Sequence, residues 1–152
     1  MKSFVYAARG VARAVREERN LRFHLCTAVY VYAFSAFYTL SAVQYALLTV
    51  LVCAVLAMEL VNTALENVVN GLVQEKNQAA RNAKDAAAAA VLVLCAGAVV
   101  CGFLLFWNTA VFRYIIAWFA ARWWMILLLA ASLAGSVWFV FFFGNRKDNN
   151  ER

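Results

Sequence analysis

The chain has 152 residues, of which 66% are hydrophobic and 14% charged, with no proline and a formal charge of +6. A soluble domain is nearer half apolar and a quarter charged, so this composition excludes an ordinary water-soluble fold and points to a small all-α integral membrane protein. The positive charge is modest and gathers at the edges of apolar stretches, which suits anionic lipid headgroups rather than nucleic acid.

Residues 2–19 read as an amphipathic surface helix. Phe4, Val11 and Val15 recur along one side, while Arg9, Arg13 and Arg16 fall on the other with Tyr6 and Glu17 near them. Such a helix lies in the membrane interface, apolar side down. The start of the chain lacks the short apolar core and small-residue cleavage site of a signal peptide. Continued periodicity puts Glu18 on the apolar side, beneath the arginine face. A helix that frays before Glu18 would leave it in water instead.

Residues 25–58 contain no Asp, Glu, Lys or Arg, a stretch of 34 residues. One span takes about 20 residues, so the stretch must fold back, and its polar piece at residues 39–44 is the expected turn. The first span then covers residues 20–38 and the second residues 43–73. After a polar loop, the third covers residues 82–108. Asp85 marks its start, followed by a run of five alanines that permits close helix approach. The lipid-facing core, residues 1–108, is expected to be complete there. Residues 109–152 add an interfacial segment between Arg113 and Arg122, a fourth span at 123–143 and a basic tail. Trp118, Trp123 and Trp124 suit one membrane interface and Trp138 lies nearer the other. Basic residues cluster before the first span, between the second and third, and after the fourth. Four crossings put all three clusters in the cytoplasm, and with them the N-terminus of a multi-pass protein of the cytoplasmic membrane. Cys26, Cys53, Cys95 and Cys101 lie in apolar stretches without metal-ligand spacing and read as small buried hydrophobes. Gly97 and Gly102 lack the following Lys-Ser/Thr of a phosphate-binding loop.

The second span carries the chemistry. It contains the run Glu59-Leu-Val-Asn62-Thr63-Ala-Leu-Glu66-Asn-Val-Val-Asn70. Seven residues are about two helical turns, so Glu59, Thr63, Glu66 and Asn70 share a face with Asn62 at its edge. An ionised carboxylate in hydrocarbon costs several kcal/mol, so intramembrane acids mark function more often than packing. Interhelical glue uses Ser, Thr and Asn more than paired acids. With Glu18, Lys84 and Asp85 on the same expected membrane edge, the residues suit a phosphorylated, metal-bound ligand.

The Glu59–Val69 run and Ala83-Lys84-Asp85 followed by five alanines resemble the signature segments of the prokaryotic diacylglycerol kinase and undecaprenol kinase family. Arg16-Glu17-Glu18-Arg19-Asn20-Leu21-Arg22-Phe23-His24 is similar to the matching segment of the undecaprenol kinase branch, typical of Gram-positive bacteria. The resemblance covers residues 2–108. It implies a homotrimeric membrane lipid kinase that uses ATP and Mg²⁺ to phosphorylate a lipid alcohol, undecaprenol ahead of diacylglycerol, at sites shared between subunits. It also implies Glu59 as general base, Asn62 beside the reacting groups, and Glu18 and Glu66 as metal-binding acids. Tyr6, Glu75, Lys84 and Asp85 match positions lining the nucleotide site. Lys76 and Asn77 go with them, standing where the family usually has an aromatic residue and a histidine. Asn70 stands where an aspartate is usual. Two other classes remain as alternatives. A small ion- or proton-coupled transporter would more often show repeats or broken helices. A non-catalytic assembly subunit would leave the convergence of Glu18, Glu59, Glu66, Lys84 and Asp85 without a reason.

Overall fold

The computed structural model of the chain describes residues 2–72 and 77–144. Among these are six helices and no strand: α1 (Lys2–Glu17), α2 (Arg19–Ser35), α3 (Ala42–Leu72), α4 (Gln78–Phe106), α5 (Thr109–Ala121) and α6 (Trp123–Phe142). The all-α membrane class expected from composition is what the chain forms. Helices α3, α4 and α6, of 31, 29 and 20 residues, are long and apolar enough to cross a membrane. At 1.5 Å per residue, α3 and α4 are each roughly 45 Å long, against about 30 Å of hydrocarbon, so their polar ends outreach the apolar layer.

Two boundaries move for identifiable reasons. Helix α2 has 17 residues and stops at Ser35, short of the expected 38. There the Phe37 and Tyr38 amides donate to the Phe34 and Ser35 carbonyls at 3.1 and 2.9 Å and close tighter turns. At about 25 Å, α2 sits at the lower limit of spanning length. Helix α4 starts four residues ahead of the expected 82, because the Asn77 side chain accepts from the Ala79 and Ala80 amides at 2.8 and 3.4 Å and caps it. The segment expected to be interfacial is α5, capped in the same way by Asn108; at roughly 20 Å it is too short to cross.

The chain divides into two compact units: α1, α2, α5 and α6 form one, α3 and α4 the other.

In the first unit, α1 ends at Glu17 and Glu18 is the extended N-cap of α2, with φ −102° and ψ 114°. Its amide donates to the Ala14 carbonyl at 2.7 Å, and its carbonyl accepts from the Arg22 amide at 3.3 Å. Both sequence readings of Glu18 therefore need correction. The helix breaks before it, yet the side chain is half-buried rather than left in water. Arg22 is only 4% exposed. Its guanidinium donates to the Val15 and Arg16 carbonyls at 2.9 and 2.8 Å, and through Nε and Nη2 to the Val140 carbonyl at 3.1 and 3.0 Å. All three acceptors lie in the last turns of α1 and α6, where carbonyls lack intrahelical partners and the helix dipole favours a cation. Midway along α2, the Tyr30 hydroxyl meets the Ser132 and Ser136 hydroxyls of α6 at 3.1 and 2.9 Å. Beyond it, Phe34, Phe37, Tyr114, Trp118 and Phe119 pack ring against ring, with the Arg122 guanidinium 4.7 Å from the Trp118 ring centre.

These contacts differ in weight. Leaving a buried acceptor unsatisfied costs about 1–3 kcal/mol, whereas an interhelical hydrogen bond in a membrane averages about 0.6 kcal/mol. Arg22→Met strips three carbonyls of their donor and is expected to destabilise the protein by about 3 kcal/mol or more in mixed-detergent unfolding. Tyr30→Phe should cost under about 1 kcal/mol. Equal losses from the two substitutions would contradict this ranking.

Candidate active site

Helices α3 and α4 are antiparallel neighbours, and the register is visible in their side chains. Near the end of α3, Asn70 Oδ1 accepts from Lys84 Nζ of α4 at 3.1 Å. Glu59 lies eleven residues before Asn70 and Cys95 eleven residues after Lys84, and the Cys95 thiol is within electrostatic reach of Glu59. The alanines that open α4 allow this closeness, since they put no bulk between the helices.

The residues of α3 that the hairpin buries are Leu48, Val55, Glu59 and Thr63. Their spacing of seven, four and four residues is a single helical stripe. Glu59 is 3% exposed. Of the Glu59–Asn70 run, Glu59 and Thr63 thus lie on the inward face of α3, while Glu66 is half-buried and Asn70 exposed. One turn beyond Glu59, Asn62 Nδ2 donates to Glu66 Oε1 at 3.2 Å, a pairing that i, i+4 spacing on a helix favours. The same Asn62 presents its Oδ1 as a buried oxygen with no hydrogen-bond partner among the described residues. Reversing the amide would set that oxygen against the Glu66 carboxylate, so the orientation is fixed by charge.

Depth separates the two acids. Glu66 lies about 9 Å from the end of α3 and Glu59 about 20 Å, so roughly 10 Å of helix lies between them. Mg²⁺–oxygen distances are about 2.1 Å, which makes one ion ligated by both carboxylates unreasonable. Glu66 belongs with the polar end and Glu59 with the apolar interior. Among the described residues no three His, Cys, Asp or Glu side chains gather into a metal cage. Mg²⁺ does not need one: it takes one or two carboxylates and fills the rest of its shell with phosphate oxygens and water. Glu66, a half-buried carboxylate beside the unpartnered Asn62 oxygen, fits such an ion.

The remaining sequence candidates fall as follows. Lys84 is half-buried and occupied by Asn70, so an amide holds the place where the family usually has an acid. Asp85 is exposed, about two turns into α4. Asn77 spends its side-chain oxygen on the α4 cap and keeps only its NH₂ for other contacts. Glu75 and Lys76 lie outside the described residues. Tyr6, 64% exposed on α1, and Glu18, at the α1–α2 break, belong to the other unit. Sequence reasoning missed that Cys95 comes within electrostatic reach of Glu59. The signal that finds it is the antiparallel register, which needs the Asn70–Lys84 pair as its anchor.

A buried acid on a hairpin of membrane length, with a lysine and a second acid toward its polar end, is the arrangement the chain brings together. The chain belongs to the prokaryotic diacylglycerol kinase family, whose model matches residues 5–106, from α1 to the end of α4. It is thus a lipid kinase and a multi-pass membrane protein, and the transporter and assembly-subunit alternatives are set aside. Two relatives show the range of names within reach. An undecaprenol kinase of Bacillus subtilis is 36% identical over 105 residues, covering 69% of this chain and 85% of that protein. A diacylglycerol kinase of Synechocystis is 43% identical over 101 residues, covering 66% of this chain and 58% of that protein. Helices α5 and α6 lie beyond the matched residues.

The Asn70–Lys84 contact is exposed, so Asn70→Asp is expected to convert it into a surface ion pair and stabilise the protein by at most about 1 kcal/mol at low salt. The gain should vanish near 1 M salt, where charges are screened within about 3 Å. Unfolding measured at both salt concentrations tests this. A salt-insensitive effect would mean that the aspartate finds another partner.

Proposed function

We propose that the protein transfers the γ-phosphoryl group of ATP to the hydroxyl of a membrane lipid alcohol, undecaprenol before diacylglycerol, in a Mg²⁺-dependent reaction. The observation that carries this reading is Glu59, buried on the inward face of α3 in a chain of the lipid kinase family. Glu59 takes the proton of the lipid hydroxyl. The hydroxyl oxygen then forms a bond to the γ-phosphorus as the bond to the β–γ bridging oxygen breaks and ADP leaves. Phosphoryl transfer asks a protein mainly for positioning and charge neutralisation. Asn62 orients the reacting groups through its free oxygen, and Lys84, Asp85, Tyr6 and the Glu75–Asn77 segment serve the nucleotide. Glu66 and Glu18 are the acids for Mg²⁺, which when bound offsets phosphate charge. The site works at the cytoplasmic face of the cytoplasmic membrane, in a homotrimer with sites shared between neighbouring copies. The arginine face of α1 rests on anionic headgroups.

Undecaprenol is favoured by the resemblance at residues 16–24 and by the relative matched over 85% of its length. The higher identity to a diacylglycerol kinase supports the second lipid. A long polyisoprenoid and a diacyl chain ask for similar apolar walls, so the choice rests on assay. Purified protein in micelles, given radiolabelled ATP and each lipid in turn, should label undecaprenol faster. Preferential labelling of diacylglycerol would reverse the assignment.

Glu59→Gln keeps shape and loses proton acceptance. Turnover should fall by about 10² or more, the usual scale of general base catalysis, with nucleotide affinity little changed; near-normal turnover would remove Glu59 from this role. Glu66→Gln and Glu18→Gln should each raise the Mg²⁺ concentration needed for half-maximal rate, because each removes one charged oxygen ligand. Titrations that overlay the unmodified protein would clear these acids of metal binding.

A further inference from the structure

Helix α6 lies outside the family match, and the sequence alone leaves it without a part in the chemistry. Its C-terminal end nevertheless meets the α1–α2 break at three successive arginines. Arg22 donates to the Val140 carbonyl while its other nitrogen holds the Val15 and Arg16 carbonyls. The Arg19 guanidinium lies 5.4 Å from the Phe141 ring centre. Gly144 adopts φ +84°, and a Cβ there would run into the Arg16 carbonyl. A hydrogen-bonded cation, a cation–π contact and a backbone approach that only glycine allows are independent observations of the same docking. Glu18 sits at the centre of what they hold. It is the only residue between α1 and α2, and its backbone is tied to Ala14 behind and Arg22 ahead.

We propose that the end of α6 positions Glu18, with Arg22 and Gly144 as the positioning residues. The direction of the Glu18 carboxylate follows from the angle between α1 and α2, since an extended residue between two helices turns with them. Arg22 fixes that angle by bridging the end of α1 to the end of α6. This rests on the metal role proposed for Glu18, and the added span thereby becomes part of the working kinase.

The test uses the full-length protein in micelles and two readouts. The first is trypsin cleavage after Arg16 and Arg19, which reports the docking whatever Glu18 does. The second is the Mg²⁺ concentration for half-maximal activity. Gly144→Ala should speed cleavage several-fold and raise the Mg²⁺ requirement several-fold, in the direction of Glu18→Gln. In the double variant the Mg²⁺ shift should not exceed that of Glu18→Gln alone, since both act through one carboxylate. Gly135→Ala, on the same helix with open space around it, should change neither. Phe141→Ala is the milder partner variant should Gly144→Ala fail to fold, with smaller shifts of the same sign. Unchanged cleavage would overturn the docking. Faster cleavage with an unmoved Mg²⁺ curve, or additive shifts in the double variant, would overturn the positioning. A Glu18→Gln curve that overlays the unmodified one would remove the metal role and the positioning with it, while the trypsin result still decides the docking.

Discussion

A polar group held inside a membrane protein must find its partner there, because the hydrocarbon offers none. That constraint organises both units. In the first, the buried Arg22 is tolerated because the carbonyls in the last turns of two helices converge on it. An isolated cation there would be far more costly than the helix-end interactions it gains. In the second, Asn62 and Glu66 satisfy one another in part. What is left over is one acceptor oxygen, beside the acids that the lipid kinase reading needs. Among the described residues, the first unit meets its buried cation with carbonyls, and the second keeps a buried amide oxygen beside Glu66.

Charge isolation made the long helices legible. With no charged residue between Leu25 and Met58 and none between Ala86 and Phe112, the spans are set by where charge begins and ends. Their exact limits were set by hydrogen bonds of short range. Asn77 starts α4 early, and the turns at Phe37 and Tyr38 stop α2 early. The break at Glu18 was not legible for a different reason. Hydrophobic periodicity describes a helix that continues, and here a single extended residue resets the phase between two helices. Periodicity offered only a buried Glu18 on a continuous helix or a solvated one on a frayed end. The observed residue takes one half of each.

The candidate site was more legible than the packing around it. Acids within an apolar helix stand out by sequence, and Glu59, Thr63, Glu66 and Asn70 needed only helical spacing to share a face, with Asn62 at its edge. What sequence could not supply was their difference. Glu59 is buried by α4, while Glu66 is held by Asn62 and lies nearer the polar end. Contacts across α3 and α4 depend on register, so the Lys84–Asn70 pair and the approach of Cys95 to Glu59 appear only in the structure. The Arg22–Val140 contact joins residues 118 apart through a backbone carbonyl, which leaves no residue-type signal at the accepting position.

The axial separation of the two acids bears on how a lipid kinase divides its labour. A lipid hydroxyl is anchored at the depth its chains allow, and a nucleotide stays in water. A base that met the hydroxyl in water would have to draw the lipid out of the bilayer at about 0.8 kcal/mol for each CH₂ exposed. A metal ligand deep in hydrocarbon would have to bring phosphate charge in with it. Placing the buried acid roughly two turns from the half-buried one on a single straight helix avoids both costs. Under the proposed function, such a helix would cross the dielectric boundary and keep each carboxylate on the side where its partner is soluble. A helix of ordinary spanning length would end too soon to carry both, and the 31 residues of α3 leave room for them.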